Sequence, residues 1–346
     1  MDRILVNVIR QFNPETAHNI TLKLLKHIPL PLTKFEDASL VSNINDLTFS
    51  SPIGMAAGFD KNAEVFNSLS KIGFGFVECG TVTPKPQYGN PKPRVFRYLE
   101  EEAIINRLGF NNKGIDNFII NVAKRKFFNT PLGINIGPNK NSINFIDDYS
   151  LLVDKVHDCA DYITINISSP NTENLRKLQN KFELEELISA INSVVKTKVL
   201  QKPIFIKINP DETVESYMDI VDLITKYSIS GLIISNTTIK REDSQRATIK
   251  NEIGGLSGRP LASSSNKILE RIYRETKGAV TLIGVGGVSN GKDAYQKIKL
   301  GASLVQLYSA LTFKGPSLVN EINKDLVKLI KQDGFKSVSE AIGSGI

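Results

Sequence analysis

The chain has no tryptophan, only two cysteines and only three histidines among its 346 residues. Two thiols, Cys79 and Cys159, cannot form a disulfide framework, which excludes the small stapled folds of secreted proteins. His18, His27 and His157 are too far apart in sequence for a metal-ligating motif, so no metal is expected. No stretch approaches the roughly 18 to 20 apolar residues that span a bilayer. Residues 1–10, MDRILVNVIR, lack the apolar centre and small-residue cleavage site of a secretion signal. Membrane contact, if made, is therefore expected to be peripheral. There is no block of five like charges and no basic stripe interleaved with aromatics. The formal charge of +7 thus points to anionic ligands or anionic lipid and away from nucleic acid.

What is present is ordinary globular composition, 41% hydrophobic and 23% charged, which excludes a tail or linker. From Ile53 onward, short β-rich apolar runs alternate with polar loops and segments of helical period. Eight runs read as strands: 52–58, 74–80, 132–137, 161–168, 203–209, 230–236, 280–287 and 302–309. Helical periodicity fills 182–196, 214–227, 265–276 and 316–331. Continuous apolar strands alternating with amphipathic helices predict an α/β fold with a parallel sheet covered by helices, and eight units close a (β/α)8 TIM barrel. An open doubly wound sheet is the structural rival. Residues 94–114 interrupt the alternation and read as an excursion over the strand ends.

The domain reading is a helical extension over 1–40 and a barrel over 41–346. The extension has one possible helix near 1–11 and another over 17–27, with Pro14–Glu15 as its start signal. The apolar stripe Ala17, Ile20, Thr21, Leu24, Leu25 and Ile28 suits either a helix capping the barrel bottom or a helix pair lying on a membrane. Phe12, Leu22 and Phe35 add apolar surface outside the stripe.

Three features carry chemistry. The glycines of Gly284-Val285-Gly286-Gly287, with Tyr308-Ser309 after the last strand, suit the usual barrel phosphate site. Lys207 stands inside the apolar run PIFIKIN, where a cation is costly unless neutralised. Its partner is either a core carboxylate or an anionic ligand such as N1 of a reduced flavin, and Asp211 and Glu212 lie beyond the strand end. Finally, Asn106, Asn135, Asn166, Asn171 and Asn236 cluster at strand ends, where carboxamides suit a planar ligand with carbonyl and N–H edges.

Several of these residues lie in motifs that resemble the dihydroorotate dehydrogenases: Gly54 to Lys61, Gly80-Thr81-Val82-Thr83-Pro84, Asn106 to Asn111, Asn166 to Thr172, Asn236-Thr237-Thr238, Gly254 to Pro260 and Gly284 to Gly287. The resemblance covers nearly the whole chain, including Pro14 to His18. Ser169 where soluble class 1 enzymes carry cysteine, together with the helical extension, resembles the quinone-dependent class 2 branch. The resemblance implies FMN, oxidation of (S)-dihydroorotate to orotate in pyrimidine synthesis, and a membrane quinone, ubiquinone or menaquinone, as acceptor. Ser169 would be the catalytic base. Substrate would meet Lys61, Asn106, Arg107, Leu108, Gly109, Phe110, Asn166, Asn171, Asn236 and Thr237. FMN would meet Ala57, Gly58, Phe59, Asp60, Lys61, Thr81, Asn135, Asn166, Lys207, Ser235, Gly258, Gly287, Tyr308 and Ser309. His18, Arg97 and Tyr308 would line the quinone route. The branch also implies a monomer on the cytoplasmic face of a bacterial inner membrane, or on the inner mitochondrial membrane. Pro138 and Asn209 depart from the family pattern beside the site, so FMN affinity is open to change there.

Overall fold

Two helices open the chain in the computed structural model, which describes residues 2–28, 33–172, 174–241 and 247–346. They are α1 (Asp2–Ile9) and α2 (Pro14–His27), and a short hairpin follows, β1 (Ser42–Ile44) and β2 (Leu47–Phe49). The alternation then runs β3 (Ile53–Met55), α3 (Phe66–Ile72), β4 (Phe76–Val82), β5 (Val95–Tyr98), β6 (Ala103–Asn106), α4 (Gly114–Val122), β7 (Leu132–Ile136) and α5 (Phe145–Val156). It continues through β8 (Tyr162–Asn166), α6 (Lys181–Val195), β9 (Ile204–Ile208), α7 (Val214–Lys226), β10 (Gly231–Ile234), α8 (Ala247–Lys250) and β11 (Gly255–Gly258). The last elements are α9 (Ala262–Thr276), β12 (Thr281–Val285), α10 (Gly291–Lys299), β13 (Leu304–Leu307), α11 (Ser309–Lys314) and α12 (Leu318–Gln332).

Strands β3, β4, β7, β8, β9, β10, β12 and β13 pair in parallel, in that order, and close into a barrel. Each of the eight apolar runs lies on one of them, and the open sheet is excluded. The runs are continuous because both strand faces are covered: LGINI, YITIN and IFIKI are buried at every position. Helix α2 starts where Pro14 predicts, with Asn13 Oδ1 accepting the Glu15 N–H at 3.1 Å.

The lower half of the barrel interior is aromatic and aliphatic: Phe76, Tyr162, Phe205, Ile233, Ile283 and Leu304 pack with Phe49 of β2. Glycines make the room. A Cβ on Gly54 would lie 2.2 Å from the Phe76 ring, and one on Gly133 would lie 2.1 Å from the Tyr162 ring. Thus the β1–β2 hairpin closes the bottom, and the helical cap expected there as one reading of residues 17–28 is overturned. Helix α2 sits instead at the opposite end, where His18 packs edge-on against Phe59 at 5.3 Å between ring centres. The excursion over 94–114 contains strands, β5 and β6, which join β11 in a separate antiparallel sheet. Four-residue, half-buried strands carry too few residues for an alternation to show.

Candidate functional site

Loops at the C-terminal strand ends surround a cavity of about 390 Å³ that runs outward between α1 and α2. Its outer walls are apolar, with Leu5, Ile9, Leu22 and Leu25. Its inner end gathers Lys61, Asn106, Asn166, Ser169, Asn171, Lys207, Asn236 and Thr237 from six different loops or strands. Ala57, Gly58, Phe59, Thr81, Ser235, Gly258, Gly287, Tyr308 and Ser309 line it as well, as do Leu108, Gly109 and Phe110. The parallel barrel makes this convergence, because all eight strands end on one face.

Three predicted residues stand off the cavity. Arg107 turns outward, pairing with Glu252, donating to the Ile253 carbonyl at 2.9 Å and lying 4.5 Å over the Phe96 ring. Asp60 accepts the Glu64 and Val65 N–H groups, each at 2.8 Å, and so ties the turn that presents Lys61. Asn135 lies one layer below, accepting from Thr81 Oγ1 at 2.6 Å and donating to Glu78 Oε1 at 2.8 Å. Asn209 is spent on its own turn, donating to Glu212 at 2.7 Å and accepting from the Asp211 N–H at 2.7 Å. Neither Asn209 nor Pro138 reaches the cavity.

The polar floor is one connected network. Asn166 donates to Thr81 Oγ1 at 2.9 Å, Ser168 Oγ donates to Asn166 Oδ1 at 2.9 Å, and Asn236 donates to Ser168 Oγ at 2.9 Å. Beneath it Glu78 accepts from Asn135, from Tyr162 OH at 3.1 Å and from Gln306 Nε2 at 2.7 Å. Glu78 was missed in the sequence, although FGFVECG shows the same signal as PIFIKIN, a charge inside a buried run. Lys207 makes no hydrogen bond or ion pair among the described residues. Burial lowers its pKa, and the Glu78 carboxylate opposes that shift. The core carboxylate near Lys207 therefore comes from β4, across the barrel.

Lys61 donates to the Gly58 carbonyl at 2.8 Å, and burial lowers its pKa to about 8 while Glu15 pulls it upward. Ser169 is buried, and its Oγ accepts the Asn171 N–H at 3.3 Å. The Thr172 hydroxyl, also buried, has no partner among the described residues. Gly286 and Gly287 adopt φ of 108° and 76°, and a Cβ on Gly287 would lie 2.3 Å from that of Ala262 at the start of α9. Only glycine permits that backbone beside the helix start, with the Ser257 and Ser309 hydroxyls 2.8 Å apart nearby.

At the outer end His18, Phe59 and Tyr308 form an aromatic group, with Phe59 and Tyr308 centres 5.5 Å apart. Burial, and then the Lys61 charge, lower the His18 pKa to about 3, so the imidazole is neutral. Arg97 donates to the Phe12 carbonyl at 3.2 Å, and its Nη1 is buried without a partner among the described residues.

A family model described as dihydroorotate dehydrogenase matches residues 39–330. The chain belongs to the dihydroorotate dehydrogenase family. It is 44% identical to the dihydroorotate dehydrogenase (quinone) of Azorhizobium caulinodans, covering 97% of this chain and 96% of that one. It is also 44% identical to the mitochondrial dihydroorotate dehydrogenase (quinone) of Mus musculus, over 96% and 87%. The crystal structure of ligand-free dihydroorotate dehydrogenase from Eimeria tenella superposes with a TM-score of 0.92 at 41% identity, covering 96% of this chain and 99% of that one. The likeness to the two quinone-named relatives spans almost the whole chain, whereas the family model begins at residue 39. The chain is an oxidoreductase of the quinone-dependent branch of dihydroorotate dehydrogenases, a family of pyrimidine synthesis.

Proposed function

We propose that the chain oxidises (S)-dihydroorotate to orotate through bound FMN and passes the electrons to a membrane quinone. The observation that carries this reading is the single cavity with a cationic, amide-lined inner end and an apolar mouth between two helices. The inner residues fit FMN: Lys207 is a buried cation with no hydrogen bond or ion pair among the described residues, the Glu78 carboxylate acting on it electrostatically, and Gly286 and Gly287 leave backbone N–H groups free of side-chain cover beside the start of α9. Lys207 would face the flavin ring, and Gly258, Gly287 and Ser309 would hold the phosphate. When bound, FMN supplies a hydride acceptor for C6 of the substrate.

The chain's own residues do the rest. Lys61 meets the substrate carboxylate, while Asn106, Asn171, Asn236 and Thr237 orient the ring, which lowers the barrier by fixing geometry before reaction. Ser169 takes the proton from C5. A serine hydroxyl is a weak base on its own, so the proton passes onward, and the Thr172 hydroxyl on the same loop, which has no partner among the described residues, suits that relay. Lys61 and Lys207 supply the positive surroundings that favour a developing negative charge. At the outer end a neutral His18, with Arg97 and Tyr308, suits an uncharged quinone entering past α1 and α2. Residues 1–40 thus form a quinone-access extension on the barrel of 41–346. No helix among the described residues is long and apolar enough to cross a membrane, and the exposed apolar side chains of α1 fit a peripheral contact with a bacterial or mitochondrial inner membrane.

An anaerobic absorbance titration tests the reading. The protein, charged with FMN, bleaches on adding dihydroorotate and recovers its colour with ubiquinone but not with fumarate or NAD. A flavoprotein that dihydroorotate fails to bleach would remove the substrate assignment, and recovery with fumarate would remove the quinone.

A further inference from the structure

The extension is joined to the substrate end of the cavity by side chains, quite apart from its apolar lining. Glu15, in the first turn of α2, forms a two-pronged ion pair with Arg94: Oε1 to Nη2 at 2.7 Å and Oε2 to Nε at 3.1 Å. Arg94 is 6% exposed, while Glu15 is partly exposed and also meets Lys92 at 3.5 Å, so the Arg94 end of this pair is held out of solvent. Its remaining nitrogen, Nη1, donates to the Asn90 carbonyl at 2.9 Å and to that of Tyr88. Asn90 then reaches the substrate loops, donating to the Arg107 carbonyl at 3.0 Å and to the Asn171 carbonyl at 3.4 Å. Asn171 in turn donates to the Asn106 carbonyl at 3.2 Å, and its N–H meets Ser169 Oγ.

We propose that Glu15 is a positioning residue for the substrate half of the site: through Arg94 and Asn90 it holds the loops carrying Asn106, Ser169 and Asn171 in register. This rests on the assignment of that end of the cavity to dihydroorotate. Helix α2 then serves both half-reactions. It lines the acceptor route with His18 and, one turn earlier, braces the donor site with Glu15. Arginine suits the relay because its planar fork satisfies a carboxylate on one edge and two backbone carbonyls on the other, which a lysine cannot do. The same carboxylate also helps keep the Lys61 ammonium charged against its burial.

The test uses full-length, FMN-loaded protein and the isosteric Glu15→Gln variant. Orotate binding is followed through the flavin spectrum and reduction by dihydroorotate in a stopped-flow cell, with quinone KM measured separately. The expected result is an orotate Kd and a dihydroorotate KM raised about tenfold, with quinone KM changed less than twofold. A residue that merely secured α2 would give the opposite order, because α2 lines the quinone route directly; loss confined to quinone turnover overturns the proposal, as do unchanged constants. Arg94→Lys, which keeps a charge but loses the fork, gives the same phenotype, and the double variant is no worse than either single one. Additive losses would show that the two residues act separately. If the parent protein itself is not bleached by dihydroorotate, the failure lies in the substrate assignment and not in the relay.

Discussion

Lys61 shows how one partly buried charge sets a pH dependence. Its free-enzyme pKa near 8 means that an anionic ligand meets a charged ammonium below that pH and increasingly a neutral amine above it. Orotate affinity should be level from pH 6 to 7.5 and fall about tenfold per unit well above pH 8, measured by flavin spectral titration. A flat profile to pH 9.5 would take the carboxylate away from Lys61. Ser169→Ala should retain FMN yet slow flavin reduction by dihydroorotate by about two to four orders of magnitude in stopped-flow absorbance; an unchanged rate removes Ser169 as base. Single residues were unevenly legible. Lys207 stood out because a cation inside IFIKI is costly unless something neutralises it, whereas its opposing carboxylate, Glu78, lies 129 positions earlier, a separation no local pattern spans. Arg107 shared a motif with Asn106 and Leu108 but faces away, since neighbouring side chains leaving a strand point to opposite sides.

At the scale of elements, α2 is docked through a neutral histidine and an ionised glutamate, and acid opposes both. The folded His18 pKa is depressed from 6.5 to about 3, so the unfolded chain takes up the proton first. The associated stability is present above pH 6.5 and is lost as pH falls toward 3, by up to about 1.4 kcal/mol per unit. Although burial alone would raise it, the Glu15 pKa is lowered by Arg94 and Lys92, which extends the loss to lower pH. Urea unfolding of His18→Gln at pH 7 and pH 5 should show the variant losing less stability between the two than the parent, and equal losses would contradict an imidazole held neutral in the folded chain. The β1–β2 hairpin is the other decisive element. Phe49 is 2% exposed at the barrel bottom, and Phe49→Ala should lower stability by about 3 kcal/mol in denaturant melts while leaving orotate affinity unchanged. Long elements were legible because period and length agree over a dozen residues, as in α6, α7, α9 and α12. The short strands β1, β2, β5, β6 and β11 were not, since their pairing is antiparallel and partly distant in sequence.

On the scale of the whole molecule, the proposed membrane contact would draw on the positive balance and the apolar face of the extension together. Leu5, Val8 and Phe12 are about half exposed, at 45%, 56% and 46%. With a formal charge of +7, the protein should sediment with phosphatidylglycerol vesicles at low salt and be released as salt rises, because screening shortens the reach of surface charge. Val8→Glu should weaken vesicle binding about tenfold with no change in reduction by dihydroorotate. Binding that ignores both salt and Val8 would place the membrane contact elsewhere.

The sequence by itself determined the barrel, because hydrophobic period is a local pattern repeated eight times along one chain, while its strand-end motifs carried the resemblance to the family and pointed to most of the residues that line the cavity. Tertiary structure alone decided which end each accessory element closes, which member of each motif faces inward, and which distant charges meet. Closure of the sheet brings Glu78 within electrostatic reach of Lys207, and docking of α2 brings Glu15 to Arg94. Contacts across a closed barrel join residues that share no period, turn or spacing, so only the folded chain reveals them.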